Sequence, residues 1–219
     1  MVGAPGYDSG RSVLVICLQP LSRSSLEYLK LFWKILAVEG KILLSISSIE
    51  GNTFDYSNSN GVEEEELKEQ LENPILLDRA LGFRGVSYDS VLLLGDEATE
   101  KVACGTNWEP SPQVTKIVLE IVRGNKYVAA VGDGVVALHG IDFRGRSIIK
   151  NKTIACPEPC YRFLKEKEES VHRADPGQAI LDGRLLSAHL QDSLHLCELL
   201  RDVLLKEDSR SFIPPYLQD

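Results

Sequence analysis

The residues that come nearest to a catalytic motif lie in segment 127–138, which reads YVAAVGDGVVAL. The pattern predicts a buried strand that passes through a glycine-rich turn into a helix, which is the frame of a nucleophile elbow. In that frame the nucleophile is the third residue of small-x-nucleophile-x-glycine, which corresponds to residues 130–134. The position that would carry Ser or Cys for attack on a carbonyl carbon carries Gly132. The sequence therefore predicts an elbow that lacks its nucleophile.

Glycine at this position has a physical rationale. An elbow holds its nucleophile in a strained backbone conformation, commonly with positive φ, at a cost of about 1–3 kcal/mol for a residue with a Cβ atom. Glycine adopts that conformation without steric cost, so a chain that keeps the bend would tolerate Gly132. An ordinary strand-to-helix turn remains an alternative. A phosphate-binding loop is disfavoured because a full G-x-G-x-x-G is missing and Asp133 stands where an anion would sit.

Two carboxylates follow predicted strands at comparable positions. Asp96 comes after Gly95 at the end of the predicted strand 87–94, and Asp133 comes after Gly132. If the two strands are neighbours, both carboxylates lie where an oxyanion would form and would oppose its negative charge. Capping of helix N-termini is the favoured interpretation. The alternative is a remnant pocket that prefers a cation or an amine.

The cysteines offer weaker candidates. Cys156 and Cys160 are close enough in sequence to suggest a ligand pair, but structural zinc needs four ligands and no second pair is evident, so we predict no metal and no cofactor. Cys156 could act as a nucleophile with His139 as its base, because such a pair need only be close in space. Cys17 and Cys197 fall in apolar stretches and are predicted to lie in the core.

The remaining pattern predicts a layered α/β protein. Two apolar strands flank an amphipathic helix that ends at Gly40, which is typical of a βαβ unit in a parallel sheet. Asp182-Gly183 predicts a hairpin with a type I′ turn. The predicted elements are strands over residues 12–18, 41–47, 87–94, 127–131, 147–149 and 153–155, helices over 24–39, 63–72, 75–81, 112–123 and 158–169, a hairpin over 179–188 and a final helix.

Length and composition limit the classes of function. We predict that the 219 residues form one domain over 12–207, with a flexible leader (1–11), an acidic surface excursion (52–74) and a C-terminal tail (208–219). The net charge of −8 argues against binding to nucleic acid or to anionic membranes. No apolar stretch approaches the roughly 18 residues of a membrane helix, so no membrane insertion is expected. Five scattered cysteines without a secretory signal predict a cytoplasmic chain with free thiols.

The order of these parts resembles the DJ-one/PfpI superfamily of class I glutamine amidotransferase-like proteins. The motifs that carry the resemblance are the strand and glycine turn at 88–95, the elbow at 126–138, and the closing strand at 182–188 followed by a helix. Within the superfamily the chain is most similar to the divergent branch called glutamine amidotransferase-like class one domain-containing protein one, which shares an Ala-Val-Gly-x-Gly-Val elbow. The resemblance implies a flavodoxin-like three-layer sandwich with a mostly parallel central sheet and a C-terminal hairpin.

Compared residue by residue, the resemblance implies a missing active site. Gly132 stands at the position of the family's nucleophilic Cys, and Asp133 stands where many members have His. Cys156-Pro157 stands where other members have His-Pro, and residues 19–22 supply no carboxylate after the first strand. Asp96 replaces the second glycine of the oxyanion turn. We predict no catalytic residue and a remnant elbow or pocket formed by Gly95, Asp96, Gly132, Asp133, Gly134 and Cys156.

The resemblance further implies a pseudoenzyme that acts as an interaction or scaffolding subunit. The expected partners are a second copy or more of the chain, in a homodimer or larger homo-oligomer, and other protein subunits. The expected setting is a cytosolic assembly that is associated with endosomes. Segments 63–72 and 209–219 are candidate partner surfaces. The alternatives are a hydrolase or glyoxalase/deglycase-like enzyme that uses another thiol, such as Cys156, and a small-ligand sensor.

Overall fold

A seven-stranded sheet forms the centre of the computed structural model, which describes residues 10–18, 23–48, 65–80, 88–95, 111–167 and 170–211. The strands are β1 (Ser12–Cys17), β2 (Leu43–Ser48), β3 (Ile75–Leu76), β4 (Ser90–Leu94), β5 (Tyr127–Val131), β6 (Asp142–Phe143), β7 (Arg146–Ser147), β8 (Thr153–Ile154), β9 (His172–Arg173), β10 (Ile180–Asp182) and β11 (Leu185–Ala188). The helices are α1 (Arg23–Phe32), a π-helix (Trp33–Glu39), α2 (Glu65–Glu72), α3 (Leu77–Ala80), α4 (Pro112–Arg123), a 3-10 helix (Gly132–Leu138), α5 (Glu158–Glu166), a second 3-10 helix (Leu190–Asp192) and α6 (Ser193–Ser211).

The order of strands in the sheet is β10-β11-β5-β4-β1-β2-β3, and only the β10–β11 pair is antiparallel. Every residue of β1, β4 and β5 is buried, because both faces of the sheet are covered by helices. The structure thus confirms a flavodoxin-like sandwich with a mostly parallel central sheet and a C-terminal hairpin.

Two apolar clusters lie on the two sides of the sheet. One joins α1, the π-helix, α2 and α6, with Phe32 and Leu200 among its fully buried side chains. The other joins α4, the first 3-10 helix and α5, with Val118 and Leu164 fully buried. The structure confirms the predicted helix over 112–123, and the spacing of its apolar positions places Val114, Ile117, Val118 and Ile121 on one buried face.

The edge strand β3 corrects the prediction of a helical piece over 75–81, since Ile75–Leu76 pairs with the end of β2 before α3 begins. Gln70 of α2 forms hydrogen bonds with the part of β2 that does not pair with β3. Its amide nitrogen donates to the Leu44 carbonyl oxygen at 2.7 Å, and its amide oxygen accepts from the Ile46 N–H at 3.0 Å. These two bonds satisfy backbone groups that would otherwise form an open sheet edge.

The chain after the elbow also differs from prediction. The predicted strand 147–149 is replaced by an antiparallel hairpin of β6 and β7, and β8 pairs with β9. In the C-terminal hairpin Asp182 pairs with Leu185, so Gly183 and Arg184 are the turn residues. Only Gly183 of these two has positive φ, which fits a type II′ turn and not the predicted type I′. Asp182 is the last residue of β10, where its carboxylate accepts hydrogen bonds from the Lys152 ammonium group and from the Thr153 N–H.

Candidate functional site

The predicted bend after β5 is present. Gly132 has a φ of +57° and begins the first 3-10 helix, in which every residue is buried. The predicted helix after the elbow is present as a short 3-10 helix of seven residues. The positive φ explains why a residue without a Cβ atom stands at the position of the nucleophile.

The space above Gly132 is occupied. A Cβ atom at this position would lie 3.0 Å from the Gly95 carbonyl oxygen and 3.5 Å from the Cβ atom of Leu190. Leu190 follows β11, the parallel neighbour of β5, so the sheet brings it to the elbow. Leu190 could not be predicted as a neighbour of the elbow, because nothing in the local sequence after β11 marks it. A side chain at residue 132 would face a carbonyl acceptor and an aliphatic side chain, and neither group stabilises an oxyanion.

Gly95 and Gly134 have a different role from Gly132. Both are buried at the contact between the end of β4 and the first turn of the 3-10 helix, and the Gly95 N–H donates to the Val131 carbonyl oxygen at 3.2 Å. Cβ atoms at Gly95 and at Gly134 would lie 2.3 Å and 2.4 Å from neighbouring backbone atoms. These two glycines are therefore required by packing.

Asp133 is buried, with an exposed fraction of 3%. The Cys160 thiol donates to its Oδ1 atom across 3.0 Å. The N-cap residue of the 3-10 helix is Val131, so the prediction that Asp133 is an N-cap is wrong. Asp133 instead lies one residue inside the turn and faces α5. Asp96 lies outside the described residues.

Cys156 lies in the segment between β8 and α5 and is completely buried. The Ala155 N–H donates to the Ser187 hydroxyl of β11 at 2.9 Å, which holds this segment beside the sheet. Burial is the main reason that the pKa of the Cys156 thiol is raised to about 12; the Asp133 carboxylate raises it further, whereas Arg173 opposes the shift. A thiol with such a pKa is protonated at neutral pH and is a poor nucleophile.

No family model matches the sequence, and no curated protein matches it. Solved structures with the same architecture are nevertheless numerous. Glyoxalase III from Candida albicans aligns with a TM-score of 0.62 and 13% identity over 87% of this chain and 95% of that chain. Drosophila melanogaster DJ-1beta aligns with a TM-score of 0.60 and 14% identity over 92% and 96%. A ThiJ/PfpI domain protein from Brachyspira murdochii aligns with a TM-score of 0.62 and 15% identity over 90% and 96%.

The chain has the fold of the DJ-1/ThiJ/PfpI superfamily. This confirms the resemblance at the level of the fold, across about nine-tenths of the chain. The finer assignment to the branch named above stays a prediction, as does the absence of catalysis.

A histidine that the sequence analysis did not select lies beside the elbow of this DJ-1/PfpI-type fold. His189 directly follows β11 and precedes Leu190, and only 8% of its surface is exposed. Its Nε2 atom is buried and has no hydrogen-bond partner within the described structure. Burial lowers the pKa of His189; Arg173 acts in the same direction and Asp192 opposes it. Its position at the end of a central strand is visible only once the strand order is known.

The other predicted site residues behave as packing groups. Cys17 and Cys197 are buried in the core, as predicted. His139 packs edge-on against Phe163 with ring centroids 5.5 Å apart. Among the described residues, no group of three or more His, Cys, Asp or Glu side chains could hold a metal ion. None of the described helices is both long enough and apolar enough to cross a bilayer.

Proposed function

We propose that this protein is a catalytically silent DJ-1/PfpI-like protein that acts as an interaction or scaffolding subunit. The observation that carries the proposal is the elbow. Gly132 supplies the strained turn without a nucleophile, and its Cβ position lies 3.0 Å from the Gly95 carbonyl oxygen and 3.5 Å from Leu190. Such a site cannot form a covalent bond to a substrate through residue 132.

The state of the thiols supports the same proposal. Cys17, Cys156, Cys160 and Cys197 are all buried. The pKa of Cys156, the thiol that sequence analysis offered as a substitute nucleophile, is raised to about 12 by burial. Reactive cysteines are partly exposed and have lowered pKa values, which is the opposite environment.

The edges of the central sheet support a role in protein binding. The sheet ends in two short strands, β3 and β10, and each exposes a leucine, with 45% of Leu76 and 39% of Leu181 accessible. An edge strand with an exposed apolar side chain can pair with a strand of another chain. We propose self-association and the binding of other subunits through such edges, in a cytosolic assembly that is associated with endosomes.

One experiment tests catalysis and assembly on the same sample. The full chain is assayed for turnover of α-oxoaldehydes and esters while its mass is measured by sedimentation velocity at several concentrations. We expect no turnover above the buffer rate and a stable oligomer. Turnover that is lost in Cys156→Ser but kept in the control Cys197→Ser, an equally buried thiol on α6, would show an enzyme and reject the proposal. A strictly monomeric chain would reject self-association.

A further inference from the structure

A basic cleft lies at the end of the sheet opposite the elbow, where β5 and β11 begin. It has a volume of about 510 Å³ and lies between the end of α4, the β6–β7 hairpin and the segment 148–152. Five cationic side chains line it, with no carboxylate among the lining residues: Lys126, Arg146, Lys150, Lys152 and Arg184. Such a concentration of positive charge is unexpected on a chain with a net charge of −8.

Carboxylates nearby compensate only part of this charge. Lys126 Nζ lies 3.6 Å from Asp89 Oδ1, and Lys152 Nζ lies 2.8 Å from Asp182 Oδ1. Arg146 and Lys150 are exposed and form no ion pair within the described part of the chain. The cleft therefore keeps an excess of positive charge, which attracts anions.

Helix capping does not explain the cations. The C-terminus of α4 borders the cleft, and basic residues often stabilise such a terminus. Here three carbonyl oxygens in the last turn of α4 already accept hydrogen bonds from backbone N–H groups. The Glu120 oxygen accepts from Gly124, the Ile121 oxygen from Lys126 and the Val122 oxygen from Asn125, and each donor–acceptor distance is 3.0 Å. Capping of α4 therefore does not account for the two exposed cations, Arg146 and Lys150.

The rest of the lining combines apolar side chains with one hydroxyl group and the two amide side chains of Asn125 and Asn151. Val128, Ile148, Leu185 and the Phe143 ring contribute hydrophobic surface. Ser147 also lines the cleft, and its Oγ atom is buried without a hydrogen-bond partner among the described residues. A buried hydroxyl group without a partner favours a ligand that supplies a hydrogen-bonding oxygen. An apolar surface next to cations favours a ligand that combines an apolar group with an anion.

We propose that this basic cleft binds a small organic anion in which a phosphate or carboxylate is attached to an apolar ring. The cleft volume lies in the range of small-molecule sites, which is about 300–1,000 Å³. Arg146 and Lys150 bind the anionic group, and Phe143 with its aliphatic neighbours contacts the ring. This site is separate from the elbow, so it does not depend on whether the elbow is catalytic.

Isothermal titration calorimetry with phenyl phosphate tests the proposal on the full chain. Inorganic phosphate and phenol, the two halves of the probe, are titrated in parallel. Benzoate distinguishes a phosphate requirement from a general anion requirement. We expect saturable binding of one phenyl phosphate, tighter than either half, that weakens as salt is added.

A double variant, Arg146→Gln with Lys150→Gln, should weaken phenyl phosphate binding by about tenfold or more, because charge-assisted contacts are lost. Both side chains are exposed, so we expect the melting temperature to stay unchanged. The matched control combines Lys34→Gln with Lys116→Gln, which removes the same charge from exposed positions outside the cleft. Control binding should equal that of the natural chain. Ser147→Ala should weaken binding of phenyl phosphate more than binding of phenol.

Three outcomes would overturn the proposal. The first is the absence of saturable binding to phenyl phosphate and to benzoate. The second is an equal loss of affinity in the two double variants, which would indicate only a general effect of net charge. The third is tight binding of an acidic peptide or an oligonucleotide by a chain that binds neither phenyl phosphate nor benzoate. That result would make the cleft part of a macromolecular interface.

Discussion

Gly95 and Gly134 approach so closely that a Cβ atom on Gly95 would lie 2.3 Å from the backbone nitrogen of Gly134. In the same contact, a Cβ atom on Gly134 would lie 2.4 Å from the Leu93 carbonyl oxygen. The end of β4 thus packs backbone to backbone against the turn that follows β5. This packing requires glycines whether or not the elbow carries a nucleophile, so their presence does not indicate catalysis.

Replacement of Gly134 by Ala should destabilise the protein by about 3 kcal/mol, because the added methyl group would force the backbone of β4 away from the turn. The free energy of unfolding is measured by urea denaturation. Gly124→Ala is the control: Gly124 has a φ of −73°, and its nearest neighbour is the flexible Lys126 side chain at 3.3 Å. That change should be neutral or stabilise by up to about 1 kcal/mol. Equal stability of the two variants would contradict the close approach.

Restoring a cysteine at the elbow should not create an enzyme. We expect Gly132→Cys to lose stability by more than the roughly 1–3 kcal/mol of backbone strain alone, since the side chain also meets the Gly95 carbonyl oxygen and Leu190. Gly145→Cys is the matched control, because Gly145 has a φ of +76° and no atom within 4 Å of its Cβ position. Unfolding free energies are compared under reducing conditions, together with turnover of α-oxoaldehydes.

A gain of turnover in Gly132→Cys would show that the elbow still forms a working site. Equal destabilisation of the two cysteine variants would show that Leu190 and Gly95 leave enough room for a side chain. Either result would remove the main support for a silent elbow.

The central sheet could be predicted because its residues carry local signals. Val13, Leu92 and Val128 lie in continuous apolar runs, and such runs are typical of strands that are buried on both faces. The small-residue turn at Gly132 predicted a positive φ, which the structure confirms. Short elements were predicted less well: Ile75–Leu76 is a strand only because β2 provides a pairing edge, which is a tertiary effect.

The surroundings of the elbow could not be predicted for a related reason. Leu190 and His189 reach the elbow because β11 lies beside β5, and strand order is not encoded in either local segment. The basic cleft is built in the same way, since Lys126, Arg146 and Arg184 come from three separate parts of the chain. Asp133 was misinterpreted because its partner, Cys160, belongs to the following helix.

The described cysteines should react only when the protein unfolds. We expect Cys17, Cys156, Cys160 and Cys197 to be labelled by iodoacetamide far more slowly than a model thiol at neutral pH, because all four are buried. Labelling is followed residue by residue by mass spectrometry at increasing urea concentrations. The four rates should rise together as the protein unfolds. Rapid native labelling confined to Cys156 would contradict the pKa of about 12 that its burial produces.

Stability should fall on the acid side of neutrality through His189. Burial lowers its pKa below the ordinary value of 6.5, so the unfolded chain binds a proton more readily than the folded chain does. The favourable contribution of neutral His189 to the free energy of unfolding is complete above pH 6.5. It is lost as the pH falls from there through the lower pKa of the folded state. Melting temperatures between about pH 7.5 and about pH 5 measure the effect. In His189→Gln the slope of melting temperature against pH should become shallower in this window, since glutamine does not titrate. The control is His195→Gln, at an exposed position on α6, in which the slope should stay as it is in the natural chain. Identical slopes for all three proteins would mean that protonation of His189 is not linked to folding, and that its Nε2 atom gains a partner that satisfies the charged ring.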